Sequence, residues 1–447
     1  MDWNKLGENT LQDYIDDANF NVSERYETDF LEVSETISEL SYLTHDYFRY
    51  YGKFPSKVAS YIISTLSDQN KISACSDFIF DNYNGSGTSL VEAKLAGFCS
   101  GGVDVNPFGV LASNVKTYNY DINKLNDIFV HLQNLILSSS KECISSQLDL
   151  FSISSDNHSS ELGAALKKAY MDFPDIDKWF DADTIEQLSR IKYFILQMPQ
   201  DRYRDFFALG FFAIIRRVSK AHDAEVRPHV NPRKKKRDAI AAFKKKITEM
   251  ISTMGAWNQV TLQEIASRTF LCDNGNRDEV STILKKLNTL YSKELGLVIS
   301  HPPYLNCFDY IPVYKLEFLW AFGFPEIYGE HDYHQIKREE IRSYPATNES
   351  IVNGYFMHNM DAYKIIFDNL RPGGYCCVVI GDCTIFGELV SVHKLLIHCM
   401  EEIGFEVEKV IYRSTAYGLG RYAYRHRADY NEKDGGKKDA IIFFRKP

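Results

Sequence analysis

Two segments of this 447-residue chain combine side chains and turns that suit chemistry on a small ligand, and the first begins at His301. An apolar run over residues 295–300 leads directly into His301, Pro302, Pro303 and Tyr304. Proline lacks an amide hydrogen, fixes φ and pushes the preceding residue into an extended conformation, so a strand ends here in a stiff loop. Such a loop offers one polar side chain, backbone carbonyls and an aromatic face, which suit a flat polar group such as a nucleobase. Taken alone, the tetrapeptide also fits a proline-rich turn with a packing tyrosine.

The second segment is a glycine turn between two predicted strands. An apolar strand over residues 77–83 runs into a turn at 84–88, and a helical segment then leads to a second strand that carries Asp104 near its end. This order of strand, glycine turn, helix, strand and acid is typical of nucleotide-binding βαβ units. Gly85 and Gly87 allow the backbone to turn tightly and to approach a ligand. The acid is placed to accept hydrogen bonds from ribose hydroxyls.

The two segments together resemble the amino-methyltransferases, which move a methyl group from S-adenosylmethionine to an exocyclic amine of a nucleobase. Residues 84–94 are similar to that family's cofactor loop, and residues 301–304 are similar to its catalytic tetrapeptide. Residues 51–58 resemble the segment that helps to enclose the methionine end of the cofactor. Residues 267–274 are similar to the adenine-side segment, and residues 305–320 resemble the continuation found in many DNA N4-cytosine and N6-adenine members.

The resemblance extends over residues 44–118 and 265–447 and implies S-adenosylmethionine as the cofactor. It implies catalytic roles for His301, Pro302, Pro303 and Tyr304. It implies cofactor contacts for Phe54, Asp81, Asn84, Gly85, Ser86, Gly87, Thr88, Asp104 and Asp273.

The implied chemistry is the activation of a weak nucleophile, because the lone pair of the exocyclic amine is delocalised into the base. The side chain of His301 and a backbone carbonyl of Pro302-Pro303 would accept hydrogen bonds from the amine, and Tyr304 would stack on the base. Alignment of the nitrogen lone pair with the sulfonium methyl then supplies most of the catalysis. No metal is required, and in a duplex the base must first be flipped out of the stack.

His301 departs from the family, which normally has Asp, Asn or Ser at this position. A neutral histidine accepts through one ring nitrogen, whereas a cationic histidine only donates, so activity should fall as the pH drops through the histidine range. Two alternatives remain open. In the first, the loop carbonyl accepts the hydrogen bond from the amine and the histidine is a tolerated substitution. In the second, catalysis is lost while binding is retained. Asn82 also departs from the family, which commonly has proline after the acid at position 81.

The pattern of apolar runs predicts the fold that must position these loops. Predicted strands lie at 77–83, 99–105, 267–273, 295–301, 374–381, 405–413 and 438–445. Interleaved with helices, they indicate an α/β protein with a doubly wound, seven-stranded, mostly parallel sheet, a Rossmann-like methyltransferase fold with a helical insertion. The resemblance implies that residues 438–445 form the antiparallel strand. Ligands of such sheets bind at the carboxyl ends of the strands, where both loops lie.

Three regions are predicted along the chain. Residues 1–43 read as an acidic helical extension, residues 44–118 with 265–447 as the methyltransferase domain, and residues 119–264 as an inserted helical, partly basic target-recognition region. The formal net charge is −9, but phosphate neutralisation needs local basic clusters rather than a positive total. The candidate nucleic-acid contacts are Arg216, Arg217, Lys220, Arg233, Lys234, Lys235, Lys236 and Arg237. A solvated charged helix face is the alternative for this run.

These patterns lead to one preferred function and two alternatives. No apolar run reaches the length of a membrane span, no signal peptide is apparent, and no Cys-x-x-Cys pair suggests a metal, so a cytoplasmic protein is expected. The preferred function is methylation of double-stranded DNA with the target base flipped out, and cytosine N4 is slightly preferred over adenine N6. A cognate restriction or defence subunit is a candidate partner. The alternatives are an RNA or tRNA base methyltransferase and a non-catalytic DNA-binding subunit.

Overall fold

The computed structural model describes residues 3, 6–33, 35–36, 39–53, 55–138, 176–223, 225–306, 309–328, 333–341, 346, 348–414 and 438–447. The strands are β1 Glu27–Leu31, β2 Asp77–Asp81, β3 Ser100–Asp104, β4 Ser267–Leu271, β5 Glu294–Ser300, β6 Tyr375–Gly381, β7 Cys383–Ile385, β8 Glu388–Val390, β9 Glu406–Ser414 and β10 Lys438–Arg445. The helices are α1 Leu11–Asp17, α2 Val22–Arg25, α3 Ser56–Asp68, α4 Thr88–Leu95, α5 Pro107–Thr117, α6 Ile122–Ser138, α7 Ile176–Trp179, α8 Ala182–Leu196, α9 Arg202–Val218, α10 Ala239–Val260, α11 Arg277–Tyr291, α12 Lys315–Ala321, α13 Pro325–Tyr328, α14 Tyr333–Glu339, α15 Glu349–Asn369 and α16 Val392–Ile403.

The main sheet has eight strands in the order β1-β9-β10-β6-β5-β2-β3-β4. All neighbouring strands pair in parallel except those on either side of β10, which runs antiparallel to both β6 and β9. The seven predicted strands are therefore all present, and the antiparallel assignment of residues 438–445 is confirmed. A short hairpin of β7 and β8 follows β6.

The eighth strand corrects the prediction for the first 43 residues, which were expected to be only helical. β1 pairs in parallel with β9 at the edge of the sheet, beside the short helices α1 and α2. Four of its five residues are exposed, so its sequence, Glu-Thr-Asp-Phe-Leu, lacks the apolar alternation that marks a half-buried strand. Its position is determined by pairing with a strand from the far end of the chain.

The two faces of the sheet are covered by different helices. Alternate residues point to opposite faces of a strand, so Ile79, Leu297 and Ile299 pack with α3, while Phe78, Phe80 and Val298 pack on the side of α11, α15 and α16. Burial of both faces explains why the central strands are continuous apolar runs. This arrangement is the predicted doubly wound α/β architecture.

The described part of the inserted region is helical, as expected, and consists of α6 to α10 with their connections. Its aromatic side chains extend the core that begins on the sheet-covering helices. Phe212 of α9 contacts Phe108 of α5 with ring centroids 5.0 Å apart, and Phe211 contacts Trp320 of α12 at 6.1 Å. The insertion is therefore packed directly against the helix that follows β3, next to the glycine turn.

Candidate active site

The carboxyl ends of β2, β3, β4 and β5 meet at one cleft, which contains about 810 Å³ of empty space including its open mouth. The glycine turn after β2, Asp104 at the end of β3, Asp273 after β4 and His301 after β5 all line it. Parallel strands bring these segments together because their carboxyl ends share one edge of the sheet. The cofactor and catalytic segments that the sequence indicated separately therefore face the same space.

The glycine turn has the backbone conformation that its sequence predicted. Gly85 and Gly87 have φ values of +51° and +77°, a region that residues with a Cβ rarely adopt. A Cβ on Gly87 would lie 2.2 Å from the Ser113 hydroxyl, and a Cβ on Gly109 would lie 2.5 Å from the Gly85 carbonyl oxygen. Helix α5 therefore packs against the turn with no space for additional atoms.

A buried lysine of α5 hydrogen-bonds to the backbone of the glycine turn. The Nζ of Lys116 donates to the carbonyl of Ser86 at 3.0 Å, and the lysine is fully buried. Residues 109, 113 and 116 recur at the spacing of one helix face, so a single face of α5 supports the turn. Burial lowers the pKa of Lys116 well below its ordinary value. Sequence reasoning missed this support, although the spacing of small residues at 109 and 113 was visible.

The acid at the end of β3 is bonded to the turn itself. The amide of Gly85 donates to Asp104 Oδ2 at 2.6 Å, and the amide of Asn106 donates to Oδ1 at 2.8 Å. Desolvation raises the pKa of Asp104 to about 6, against the effect of these two amides. Asp104 lines the cleft, and each carboxylate oxygen has capacity to accept a second hydrogen bond.

Asp81 lies underneath the turn and is not among the described residues that line the cleft. One carboxylate oxygen accepts from the amide of Tyr83 at 3.0 Å, and the other accepts from the hydroxyl of Ser89. The side chain is buried, and desolvation raises its pKa to about 7. In this structure Asp81 shapes the turn and does not reach the cleft.

Asp81→Asn should remove part of the pH dependence of stability. The pKa of about 7 in the folded protein exceeds the ordinary carboxyl value of about 4, so the folded state retains a proton that the unfolded state releases. The stabilisation from this group is complete below about pH 4 and is lost as the pH rises through about 7. Relative to the variant, the wild-type free energy of unfolding should fall by about 1 kcal/mol per pH unit between about pH 5 and 7.

Urea unfolding of both proteins across this pH range measures the difference, in which the contributions of other acids cancel. Parallel curves for the two proteins would contradict the buried, protonated state of Asp81.

Hydrogen bonds hold the segment after β4 to its own backbone, to the residue that follows β2 and to a histidine of α15. Asp273 accepts from the amide of Gly275 at 2.9 Å, while Asn274 donates to the carbonyl of Asn82 at 2.8 Å and contacts His358 Nε2 at 2.7 Å. Burial lowers the pKa of His358, although Asp273 opposes that change. Sequence reasoning did not single out His358, because nothing in the pattern of α15 distinguishes it from other helix positions.

The tetrapeptide for which the resemblance implies a catalytic role presents two of its four residues to the cleft. His301 and Pro303 line it, whereas Pro302 and Tyr304 are buried and are not among the described lining residues. The hydroxyl of Tyr304 lies 3.2 Å from His301 Nε2, and the two rings meet edge to face with centroids 5.1 Å apart. The imidazole therefore faces the cleft with the tyrosine behind it.

The cleft is also lined by residues to which the sequence assigned no individual role. Glu340 accepts from the amides of Tyr310 and Ile311, and burial raises its pKa to about 8. The hydroxyl of Tyr50 accepts from the Asn106 side chain at 3.3 Å. The aromatic rings of Tyr50 and Tyr310 both line the cleft and offer flat faces to a heterocyclic ligand. Phe54 lies outside the described residues.

The basic residues of the insertion divide into those used within the protein and those directed outward. Arg216 is buried and donates to the carbonyls of His222, Glu225 and Val226. Lys234 donates to two further carbonyls and to Asp223. These two side chains hold the loop that follows α9 and are not available to a phosphate in this structure.

The remaining cations lie at the surface. Lys220, Lys236 and Arg237 form ion pairs with Asp181, Asp183 and Asp223. Arg217, Arg233 and Lys235 are exposed, and they have no ion pair within the described part of the chain. The last three are therefore the cations of this run most accessible to a polyanion.

The described residues contain no group of three or more histidines, cysteines or acids that could hold a metal ion. Within the same ranges, no helix is long and apolar enough to cross a membrane.

The mostly parallel sheet, with a glycine turn after β2 and acids at the end of β3 and after β4, defines a Rossmann-like methyltransferase fold, as predicted. The chain is similar to type II methyltransferase M.MvaI of Kocuria varians, with 25% identity over 243 residues, or 51% of this chain and 46% of the relative. It is also similar to type II methyltransferase M.MjaII of Methanocaldococcus jannaschii, with 34% identity over 90 residues, or 20% of this chain and 16% of the relative.

The matches therefore span less than half of either relative. No protein-family model matches the chain. The two similarities confirm the resemblance to the DNA methyltransferases that the motifs predicted.

Proposed function

We propose that the chain transfers a methyl group from S-adenosylmethionine to an exocyclic amine of a DNA base, with cytosine N4 preferred over adenine N6. The observation that carries the proposal is the single cleft lined by the glycine turn, Asp104, Asp273 and His301. Similarity to two type II methyltransferases supports the same reaction class. The preference for N4 rests on the sequence surroundings of the tetrapeptide, which look more like N4 members.

The residues of the cleft fit such a cofactor. Ser86 lines the cleft, and its buried hydroxyl has no hydrogen-bond partner within the described residues, so a ligand can satisfy it. The free lone pairs of Asp104 suit ribose hydroxyls, and Asp273 with the ring of Tyr50 suits a heterocycle. When bound, the cofactor supplies an electrophilic methyl group on a sulfonium.

The chain's own contribution to the reaction is positioning and hydrogen bonding. His301 faces the cleft and, when neutral, accepts a hydrogen bond from the base amine through one ring nitrogen. Tyr304 can donate its hydroxyl to His301 Nε2, in which case the acceptor toward the amine is the carbonyl of the Pro302-Pro303 loop. The tyrosine would have to move from its buried position to stack on the base.

Expression of the chain in a methylation-free host, followed by genome sequencing that distinguishes N4-methylcytosine from N6-methyladenine, tests the proposal. Modified cytosines at a fixed sequence are expected. Methylation of a matched RNA but not of DNA would favour the RNA alternative. Cofactor binding without transfer to either nucleic acid would favour a non-catalytic subunit, and the absence of both modification and cofactor binding would refute the proposal.

We further propose that residues 119–264 recognise the target DNA, with Arg217, Arg233 and Lys235 contacting phosphates. Replacing all three with alanine should weaken DNA binding about tenfold or more near physiological salt and should make its salt dependence shallower, because each phosphate contact releases counterions. Fluorescence anisotropy over a salt series measures both effects.

The matched control removes three exposed cations that lie outside residues 119–264, namely Arg268 of β4 and Lys285 and Lys286 of α11. It should bind DNA within about threefold of wild type. Equal losses in the two triple variants would show that net charge, rather than this surface, governs binding.

A further inference from the structure

Asn82 is a buried asparagine in the wall of the cleft whose side chain has no partner within the described residues. Both its Oδ1 and its Nδ2 lack a hydrogen bond, and the residue is 2% exposed. Leaving a buried polar group unsatisfied costs on the order of 1–3 kcal/mol. A ligand that hydrogen-bonds the amide removes that cost, so an orphaned amide beside a cleft indicates a ligand contact.

The neighbouring asparagine shows that the local fold can satisfy such a group. Asn274 also lines the cleft, yet its Nδ2 donates to the carbonyl of Asn82 and its Oδ1 contacts His358. The backbone of Asn82 is thereby fixed while its side chain is left without a role in the protein. Asn82 lies between the end of β2 and the glycine turn.

We propose that Asn82 is a cofactor-binding residue that hydrogen-bonds S-adenosylmethionine through its side-chain amide. The proposal rests on the proposed function and adds a polar contact at a position where the resembled family commonly has proline. An amide offers an acceptor and a donor side by side, which suits a ligand group that carries both. Proline at this position could not make the contact, because it has neither side-chain group.

Asn82→Leu provides the test, because leucine has nearly the same size and removes only the polar atoms. Isothermal titration with S-adenosylmethionine and S-adenosylhomocysteine should give dissociation constants about tenfold higher than those of wild type. Without cofactor, the variant should melt at the same temperature as wild type or higher, because an unsatisfied buried group has been removed.

The matched control is Asn359→Leu, at a buried asparagine outside the cleft. Asn359 accepts from the Tyr83 hydroxyl at 3.0 Å and donates to the Tyr355 carbonyl at 2.8 Å, so the same substitution should lower the melting temperature. The proposal fails if Asn82→Leu binds both compounds as tightly as wild type, or if it is destabilised as much as the control. If wild type itself binds neither compound, the proposed function fails with it.

Discussion

Gly87→Ala should weaken cofactor binding by about 100-fold or more, the largest effect we expect from a single methyl group in this protein. The added Cβ would lie 2.2 Å from the Ser113 hydroxyl and 2.8 Å from its Cβ, and the residue has a φ of +77°. Either the glycine turn, which lines the cleft, or α5, which supports that turn, must then move. Isothermal titration with S-adenosylmethionine measures the loss, and about 100-fold corresponds to about 2.7 kcal/mol.

Gly97→Ala separates backbone strain from the steric clash. Gly97 has a φ of +81°, close to that of Gly87, but an added Cβ there would meet no atom within 4 Å. We expect this control to lose about 1–2 kcal/mol of stability and to bind the cofactor like wild type. Ser113→Gly in the Gly87→Ala background should restore part of the affinity, because it removes the obstructing side chain. Binding by Gly87→Ala within threefold of wild type would exclude the turn as the cofactor site.

His301→Ala should reduce the rate of methyl transfer by about 100-fold at saturating cofactor and DNA. This loss is typical when one hydrogen-bonding group that stabilises a transition state is removed. Cofactor affinity should change little, because the imidazole reaches the cleft from β5 rather than from the glycine turn. Single-turnover kinetics with the recognition sequence obtained from genome sequencing measure the rate without a contribution from product release.

The pH profile assigns the role of the imidazole. Wild-type activity should fall between about pH 8 and 5.5, because a protonated histidine donates at both nitrogens and no longer accepts from the amine. His301→Asn, which carries a residue common in the resembled family, should retain activity within about tenfold and have a flatter profile. A wild-type rate that is constant across this range would instead favour the loop carbonyl as the acceptor.

Local patterns predicted the parts of the fold that local physics determines. The glycine turn at 85–87 and the strand end at Pro302 follow from backbone constraints that act within one or two residues. The central strands were recognisable because burial on both faces requires continuous apolar runs. The helical insertion was predicted in the same way, from the apolar periodicity of α9.

Contacts between residues distant in sequence were not predictable in this way. Arg216 and Arg233 belong to the same basic run, yet the first is buried against three carbonyls while the second is exposed. β1 was missed because an exposed edge strand needs no apolar alternation, and its partner β9 lies near the other end of the chain. Glu340 and Lys116 gained their roles only from the backbone groups that the fold brings to them.

The sequence by itself indicated which segments are the candidates for the chemistry: the glycine turn after β2, the acids at the end of β3 and after β4, and the tetrapeptide that begins at His301. Residue type and short-range spacing suffice to recognise these segments, because the conformation of each one depends on its own backbone. Only the tertiary structure decided which polar groups already have hydrogen-bond partners within the protein. Asp81 is bonded beneath the turn, Tyr304 lies behind His301, and Asn82 has no partner within the described residues, since hydrogen-bond partners come from distant parts of the chain.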